Sequence, residues 1–324
     1  MYDGRVVVGY DGSPQADLAV SWAAAEAALR GRALTIVHAI LPSVAAGSLG
    51  AGLAPSPELI GQLETNAHDQ LEALATTLRP LDVLTPVTIG VSTWVLLFAS
   101  KTADLVVGLV AALRPHRDHL GGVLLEASET ADVVVVGSRG RGGFASLILG
   151  SVAAQVAAHA ACPVVTIRKA PADDAREIVV GIDATPGSEA ALAFAFDEAS
   201  RHGWTLIAVH AWDIPAYDLL VVPNGPVPVG LADVADEEVR MSAEVLAGFR
   251  DSYPDVEVQE HLVKGPPVSS ILTASTNPAM IVVGTRGHGP TVGALLGSIS
   301  NGVLHKATVP VAVVPRPAAV PDAA

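Results

Sequence analysis

Two glycine-rich loops carry the most specific chemical pattern in the sequence. The first reads Gly137-Ser138-Arg139-Gly140 and, after nine further residues, Gly150-Ser151. The second reads Gly284-Thr285-Arg286-Gly287 and, after nine further residues, Gly297-Ser298. Glycines let backbone N–H groups approach an anion and permit positive φ angles. The Gly-Ser pairs resemble helix starts, where the backbone favours negative charge. The spacing therefore predicts a phosphate-binding loop in each half of the chain.

Polar side chains in these loops fit the same chemistry. Arg139 and Arg286 bring positive charge to the loops, and a guanidinium pairs well with phosphate. Ser151, Ser298 and Ser300 offer hydroxyl donors. A tight strand-to-helix turn is the alternative for one such loop, but the recurrence of the spacing favours the anion site.

An aspartate follows the first predicted strand of each half. Asp11 and Asp183 each come after Val-Val-Gly-x, and ligands of open α/β sheets bind outside the carboxyl ends of the strands. If the first and fourth strands are neighbours, Asp11 faces the first loop across a crevice. A carboxylate there suits a ribose hydroxyl or a base amino group, with helix capping as the alternative. His38 and His210 end the second strands and are interpreted as buried, hydrogen-bonded histidines rather than catalysts.

The elements that must position these residues come in two copies. Residues 6–39 align with 178–211 at 14 of 34 identical positions, and residues 135–164 align with 282–311 at 13 of 30. Internal repetition of this kind indicates two homologous units. The sequence thus predicts two domains, 1–170 and 171–324.

The first copy is 25 residues longer between its aspartate and its loop. The excess lies near 96–122, where Leu96–Asp104 resembles Leu124–Asp132 and each segment precedes a valine-rich strand. A local helix–strand duplication explains the extra length. Because it lies beside the first site, it weakens the prediction for that site.

Periodicity predicts an α/β fold with a parallel sheet. Apolar β-branched runs such as Arg5–Tyr10 and Ile178–Ile182 are typical of buried parallel strands. Pro14 and Pro186 lie where helices start, and Gly31 and Gly203 lie where those helices end. Strands that alternate with helices indicate helices covering a parallel sheet.

Composition excludes several classes of function. A net charge of −14, from 19 basic and 33 acidic residues, argues against binding to nucleic acid or to anionic lipid. The single cysteine, Cys162, allows no internal disulfide and is predicted to be a small buried residue. The N-terminus lacks the features of a signal peptide, so a cytoplasmic protein without membrane spans is expected. Neither a P-loop lysine motif nor G-x-G-x-x-G after the first strand is present.

The motifs together resemble the tandem-domain members of the universal stress protein family, of the actinobacterial type. The resemblance rests on Val7–Ser13, both glycine loops, and the strands Cys162–Val165 and Val309–Val313. It implies two Rossmann-like (HUP-type) domains, each with a five-stranded parallel sheet of order 3-2-1-4-5. It also implies that the last strands, Val164–Ile167 and Val311–Val314, dock either the two domains or the two chains of a homodimer.

The resemblance further implies ATP, with or without Mg²⁺, in the crevice of each domain. Asp11 and Asp183 would hold adenosine, and Ala39 and Ala211 would lie against adenine. Ala153 stands where the second copy has Ser300, so the first site has one hydroxyl fewer. The nucleotide-binding residues implied or inferred are Gly9, Asp11, Ala39, Gly137, Arg139, Gly140, Gly150, Ser151, Val152, Gly181, Asp183, Ala184, Ala211, Gly284, Arg286, Gly287, Gly297, Ser298, Ile299 and Ser300.

These observations predict an ATP-binding protein with a regulatory role in stress response. Slow ATP hydrolysis or phosphotransfer is the alternative. It is not the main prediction because the sequence shows no convincing catalytic base or metal-binding carboxylate cluster. A scaffold that binds another adenine nucleotide, such as cyclic AMP, or none at all is the third hypothesis.

Overall fold

The computed structural model divides the chain into two compact units, Met1–Ala170 and Pro171–Ala324. The residues that the structure describes are 5–10, 12–40, 57–81, 83–85, 87–89, 105–107, 133–139, 149–183, 186–212, 231–285 and 296–316.

Strands and helices alternate along both units, as expected for an α/β fold. The first unit contains β1 (Arg5–Tyr10), α1 (Pro14–Leu29), β2 (Ala33–Ile40), α2 (Pro57–Thr77), β3 (Val83–Leu84), β4 (Val87–Ile89), β5 (Leu105–Val107), β6 (Val133–Gly137), α3 (Ser151–His159) and β7 (Val164–Ile167). The second contains β8 (Glu177–Ile182), α4 (Pro186–His202), β9 (Thr205–Trp212), α5 (Leu231–Ser252), β10 (Val258–Lys264), α6 (Pro267–Thr273), β11 (Pro278–Gly284), α7 (Ser298–Lys306) and β12 (Val311–Val314).

The second unit has the predicted sheet. Its strands run in the order β10-β9-β8-β11-β12, and every neighbouring pair is parallel. In chain order this is 3-2-1-4-5, so β8 and β11 lie side by side and their carboxyl ends meet.

The first unit departs from that order. Strand β5 pairs with β1 on one side and with β6 on the other, both in parallel, so the order is β7-β6-β5-β1-β2 with β3 and β4 on β2. The prediction that the first and fourth strands are neighbours is therefore wrong for this unit. The cause is the extra segment: Leu105-Val106-Val107 is apolar enough to enter the middle of the sheet instead of lying outside it.

Burial follows the predicted strand pattern. All four residues of β7 and of β12 are buried, as are all five of β6. Cys162 is buried, as predicted. Among the helices that the structure describes, none offers a stretch apolar and long enough to cross a bilayer.

Two glycines end the first helix of each unit as the sequence predicts. Gly31 and Gly203 have φ of +64° and +66°, a left-handed conformation that favours glycine. The N–H of Arg32 donates to Ala27 O at 2.8 Å, and the N–H of Trp204 donates to Ala199 O at 2.9 Å. Both helices thus end in a Schellman motif, which directs the chain into β2 and β9.

Candidate functional site

The second unit contains a crevice at the carboxyl ends of β8, β9 and β11. About 500 Å³ of space there, which includes the open mouth, is free of protein atoms. Its walls also include residues of α4, α6 and α7. The lining residues are Gly181, Ile182, Asp183, Ser188, Val209, Ala211, Pro267, Ile271, Val283, Gly284, Ile299 and Ser300.

A glycine keeps the floor of the crevice open. A Cβ atom placed on Gly181 would lie 2.7 Å from Cδ1 of Ile271 and 3.9 Å from a methyl of Val283. Real Cβ atoms do not come that close to another carbon, so a side chain here would push the end of Ile271. Asp183 follows two residues later and, among the lining residues that the structure describes, is the only acid.

Helix α7 points its amino end at this crevice. Its N-cap is Gly297, which makes no side-chain capping bond, so the first-turn N–H groups remain to be satisfied by solvent or a ligand. Gly297 has φ of −59°; the positive φ considered from the sequence is therefore not why glycine stands here. Its N–H donates to Thr285 O at 2.8 Å, which closes the glycine loop on itself.

Ser300 lines the crevice and also joins α7 to the end of β11. Its buried hydroxyl donates to Gly284 O at 2.5 Å and so ties α7 to the end of β11. The hydroxyl hydrogen is used in this bond. In the first unit the equivalent residue, Ala153, is buried and makes no such tie.

His210 is a buried, hydrogen-bonded histidine, as predicted from the sequence. Its ring is buried, and Nδ1 lies 3.0 Å from Ile182 O. Through this bond the ring links the ends of β9 and β8, which pair there in parallel. His210 therefore stabilises the strand ends that carry Asp183 and Ala211.

The loop of the first unit is closed by the same backbone bonds. The N–H of Gly150 donates to Ser138 O at 2.8 Å, and the N–H of Ser138 donates to Ile167 O at 2.8 Å. The bond from Thr285 N–H to Val314 O, also 2.8 Å, is the counterpart in the second unit. A Cβ on Gly150 would lie 3.2 Å from Ser138 O, so close approach explains this glycine, whose φ is −72°.

Positive charge gathers beside the first loop. Burial lowers the pKa of Arg168, and the nearby guanidinium of Arg139 lowers it further. Two like charges thus lie close together at the ends of β6 and β7.

Six of the predicted residues come together in the second crevice. They are Gly181, Asp183, Ala211, Gly284, Ile299 and Ser300. Gly297 and Ser298 start α7 beside them. The first-unit residues lie on the separate strands and helix that carry them: Gly9 on β1, Ala39 on β2, Gly137 and Arg139 at the end of β6, and Gly150, Ser151 and Val152 at the start of α3. Asp11, Gly140, Ala184, Arg286 and Gly287 lie outside the described residues.

Sequence reasoning missed the lining residues that come from neighbouring helices. Ser188 reaches the crevice from the first turn of α4, and Pro267 and Ile271 reach it from α6. The one available signal for α6 was Gly265-Pro266-Pro267, a turn and helix start directly after β10.

Comparison with known proteins identifies the family. The model of the universal stress protein family matches residues 3–168 and 175–315, which is most of the chain and covers both units. The chain therefore belongs to the universal stress protein family, and the resemblance seen in its motifs is confirmed.

Relatives from mycobacteria match over nearly their whole length. The universal stress protein Rv2005c of Mycobacterium tuberculosis is 37% identical over 316 residues, which are 95% of this chain and 96% of that protein. A universal stress protein of Mycolicibacterium smegmatis is 33% identical over 314 residues, with coverage of 95% and 96%. The tandem arrangement is thus shared with these proteins.

Solved structures support the fold. A universal stress protein from Archaeoglobus fulgidus has a TM-score of 0.58 at 20% identity and covers 96% of both chains. The protein PA1789 from Pseudomonas aeruginosa, described as functionally unknown, has a TM-score of 0.61 at 17% identity and covers 97% of this chain and 92% of its own. The predicted Rossmann-like α/β class with a parallel sheet is confirmed.

Proposed function

We propose that the second unit of this universal stress protein binds ATP in the crevice between β8 and β11. One observation carries the proposal: the crevice brings a strand-end carboxylate and an uncapped helix N-terminus to the same cavity. A nucleoside offers hydroxyl and amino groups to the carboxylate, whereas a phosphate chain offers negative charge to the helix N-terminus.

The residues present fit such a ligand. Asp183 would accept hydrogen bonds from the ribose or the base, and Ala211 would present a flat apolar contact to adenine. Gly284, Gly297 and Ser298 would direct backbone N–H groups toward the phosphates. Bound ATP would supply a triphosphate of high charge, and Mg²⁺ would be held mainly through those phosphates and water, since Mg²⁺ takes few protein ligands.

The role we propose is regulatory rather than catalytic. His210, the buried histidine of β9, is bonded to the backbone, and Asp183 is assigned to adenosine. Nucleotide occupancy would stabilise one arrangement of the loops and so alter partner binding in a cytoplasmic stress response. A homodimer through the last strand of a domain stays a prediction, which the molecular mass in solution tests.

Competition between nucleotides tests the ligand class. Nucleotide-free full-length protein that carries Gly150→Glu, which blocks the loop of the first unit, is titrated with a fluorescent ATP analogue and then challenged with ATP, GTP and cyclic AMP. We expect ATP to displace the analogue at least tenfold more effectively than GTP or cyclic AMP. Guanine would bury more polar groups than adenine against Ala211, and cyclic AMP lacks the chain of phosphates that would reach α7. Equal displacement by GTP would contradict the adenine assignment, and stronger displacement by cyclic AMP would favour the other adenine nucleotide.

A further inference from the structure

In the first unit, the glycine loop is separated from the strand end that would read a nucleoside. Strand β5 lies between β1 and β6, and neighbouring strands are about 4.8 Å apart, so the two strand ends lie about 10 Å apart. In the second unit the equivalent strands β8 and β11 pair directly. A ligand that contacts both the strand end and the helix N-terminus would therefore have to span one further strand in the first unit than in the second.

Two arginines lie close together at the loop of the first unit. The bond from Ser138 N–H to Ile167 O fixes the ends of β6 and β7 side by side, and Arg139 and Arg168 each follow directly. These two guanidiniums repel one another. The second unit has Pro315 in the position of Arg168, so this pair is a property of the first unit.

Two buried hydroxyls lie at the same ends of β6 and β7 as the arginines. The side chains of Ser138 and Thr166 are only 1% and 4% exposed, and neither oxygen has a hydrogen-bond partner within the described part of the chain. Thr166 pairs in register with Val136, and strand alternation puts Ser138 on the same face. Val283, the counterpart of Val136, lines the crevice of the second unit, so both hydroxyls are on the ligand side of the sheet. Buried hydroxyls normally have a partner.

The amino end of α3 completes the cluster. This nine-residue helix starts after Gly150 without a side-chain capping bond. The position of a Cβ on Gly150 lies 3.6 Å from Cα of Arg139, so the helix N-terminus and the arginine-bearing loop are in direct contact. Backbone N–H groups, hydroxyl groups and guanidinium groups all favour the same ligand, a compact polyanion.

We propose that the first unit binds a phosphate chain without reading a nucleoside, and that Arg168 is one of the residues that bind it. The proposal deepens the proposed function, on which it rests for the identity of the loop. The phosphate chain can be the tail of any nucleoside triphosphate or an inorganic polyphosphate, since all present the same adjacent charges.

The test uses the full-length Gly297→Glu variant, in which a carboxylate fills the second site. Calorimetric titrations with tripolyphosphate, ATP and GTP should give affinities within about threefold of one another, because only the phosphates are bound. Arg168→Gln in this background should weaken all three by about tenfold, the loss of one charge-assisted hydrogen bond. Arg168→Lys keeps the positive charge, so its affinities should lie between those of the Gly297→Glu variant and those of the variant that also carries Arg168→Gln.

Lys169→Gln is the matched control. Lys169 is the next residue and is exposed. Its substitution by glutamine removes the same charge, so the affinity for the three ligands should change by less than about twofold. Equal losses for both variants would show a general charge effect and overturn the assignment of Arg168. A strong preference for ATP over tripolyphosphate would show that the first unit reads adenosine and overturn the proposal. The proposed function is tested in a different variant, Gly150→Glu, in which the first loop is blocked and the second site is intact. If the proposed function is wrong, that variant does not bind ATP.

Discussion

The crevice of the second unit has space next to Gly181 because glycine has no side chain. We predict that Gly181→Ala weakens ATP binding about fivefold, because the new methyl group would lie 2.7 Å from Cδ1 of Ile271 and would turn that side chain into the ligand space. The cost to stability should be small, on the order of 1 kcal/mol for one displaced rotamer. Calorimetry with ATP and a denaturant titration measure the two effects separately.

A second substitution gives this prediction its control. Ile271→Val removes the Cδ1 atom, so the double variant Gly181→Ala/Ile271→Val should recover most of the affinity that the single variant loses. Recovery would show that the contact, and not the backbone of β8, mediates the loss. Failure to recover would contradict the steric account of the site.

At the scale of elements, the helix ends fix where the strands begin. We predict that Gly203→Ala destabilises the protein by about 1 kcal/mol, because Gly203 has φ of +66° and a Cβ is unfavourable in the left-handed region. Denaturant titration measures this change in the free energy of unfolding.

Gly248→Ala is the matched comparison and should act in the opposite direction. Gly248 lies in α5 with open space around it, so alanine should stabilise the helix by roughly 0.5–1 kcal/mol. If both substitutions had the same sign, the conformational explanation of the helix ends would be contradicted.

Most elements could be predicted because their signals are local. The strands Arg5–Tyr10, Val164–Ile167 and Val311–Val314 have the bounds read from apolar runs, and the helix-ending glycines act within their own turn. The place of β5 could not be predicted, since the sequence shows that Leu105–Val107 is a strand but not which strands it pairs with. Sheet pairing depends on contacts between residues far apart in the chain.

The same division applies to the site. Asp183, Gly284 and Ser300 could be predicted from motif spacing, because Asp183 and Gly284 lie at strand ends and Ser300 lies in the first turn of the helix that follows the glycine loop. Ser188 and Ile271 could not, because they reach the crevice only after α4 and α6 pack on the sheet. The bond from Ser300 to Gly284 O likewise depends on how α7 lies against β11.

At the scale of the whole molecule, the two units are homologous but unequal. The net charge of −14 opposes an anionic ligand only weakly, because salt screens charges beyond about 8 Å under physiological conditions. Local groups therefore decide binding. The second unit offers a carboxylate beside a helix N-terminus, whereas the first offers two arginines and a loop set apart from β1.

Ligand binding should stabilise the full chain through mass action. We predict that ATP at 100 times its Kd raises the free energy of unfolding of the second unit by about 2.7 kcal/mol. The thermal midpoint of the wild type should rise with ATP concentration, whereas that of a Gly150→Glu/Gly297→Glu variant should not. A rise in the doubly blocked variant would place the binding site elsewhere.

Calorimetric titration of ATP into the nucleotide-free, full-length Gly150→Glu variant tests the central claim most directly. With the first loop blocked, we predict one ATP bound per chain, loss of that binding by more than 100-fold on adding Gly297→Glu, and no loss on adding Gly248→Glu, which places the same charge on an exposed face of α5. Absence of heat in the folded Gly150→Glu variant, or binding that survives Gly297→Glu unchanged, would contradict the assignment of the second crevice as the ATP site.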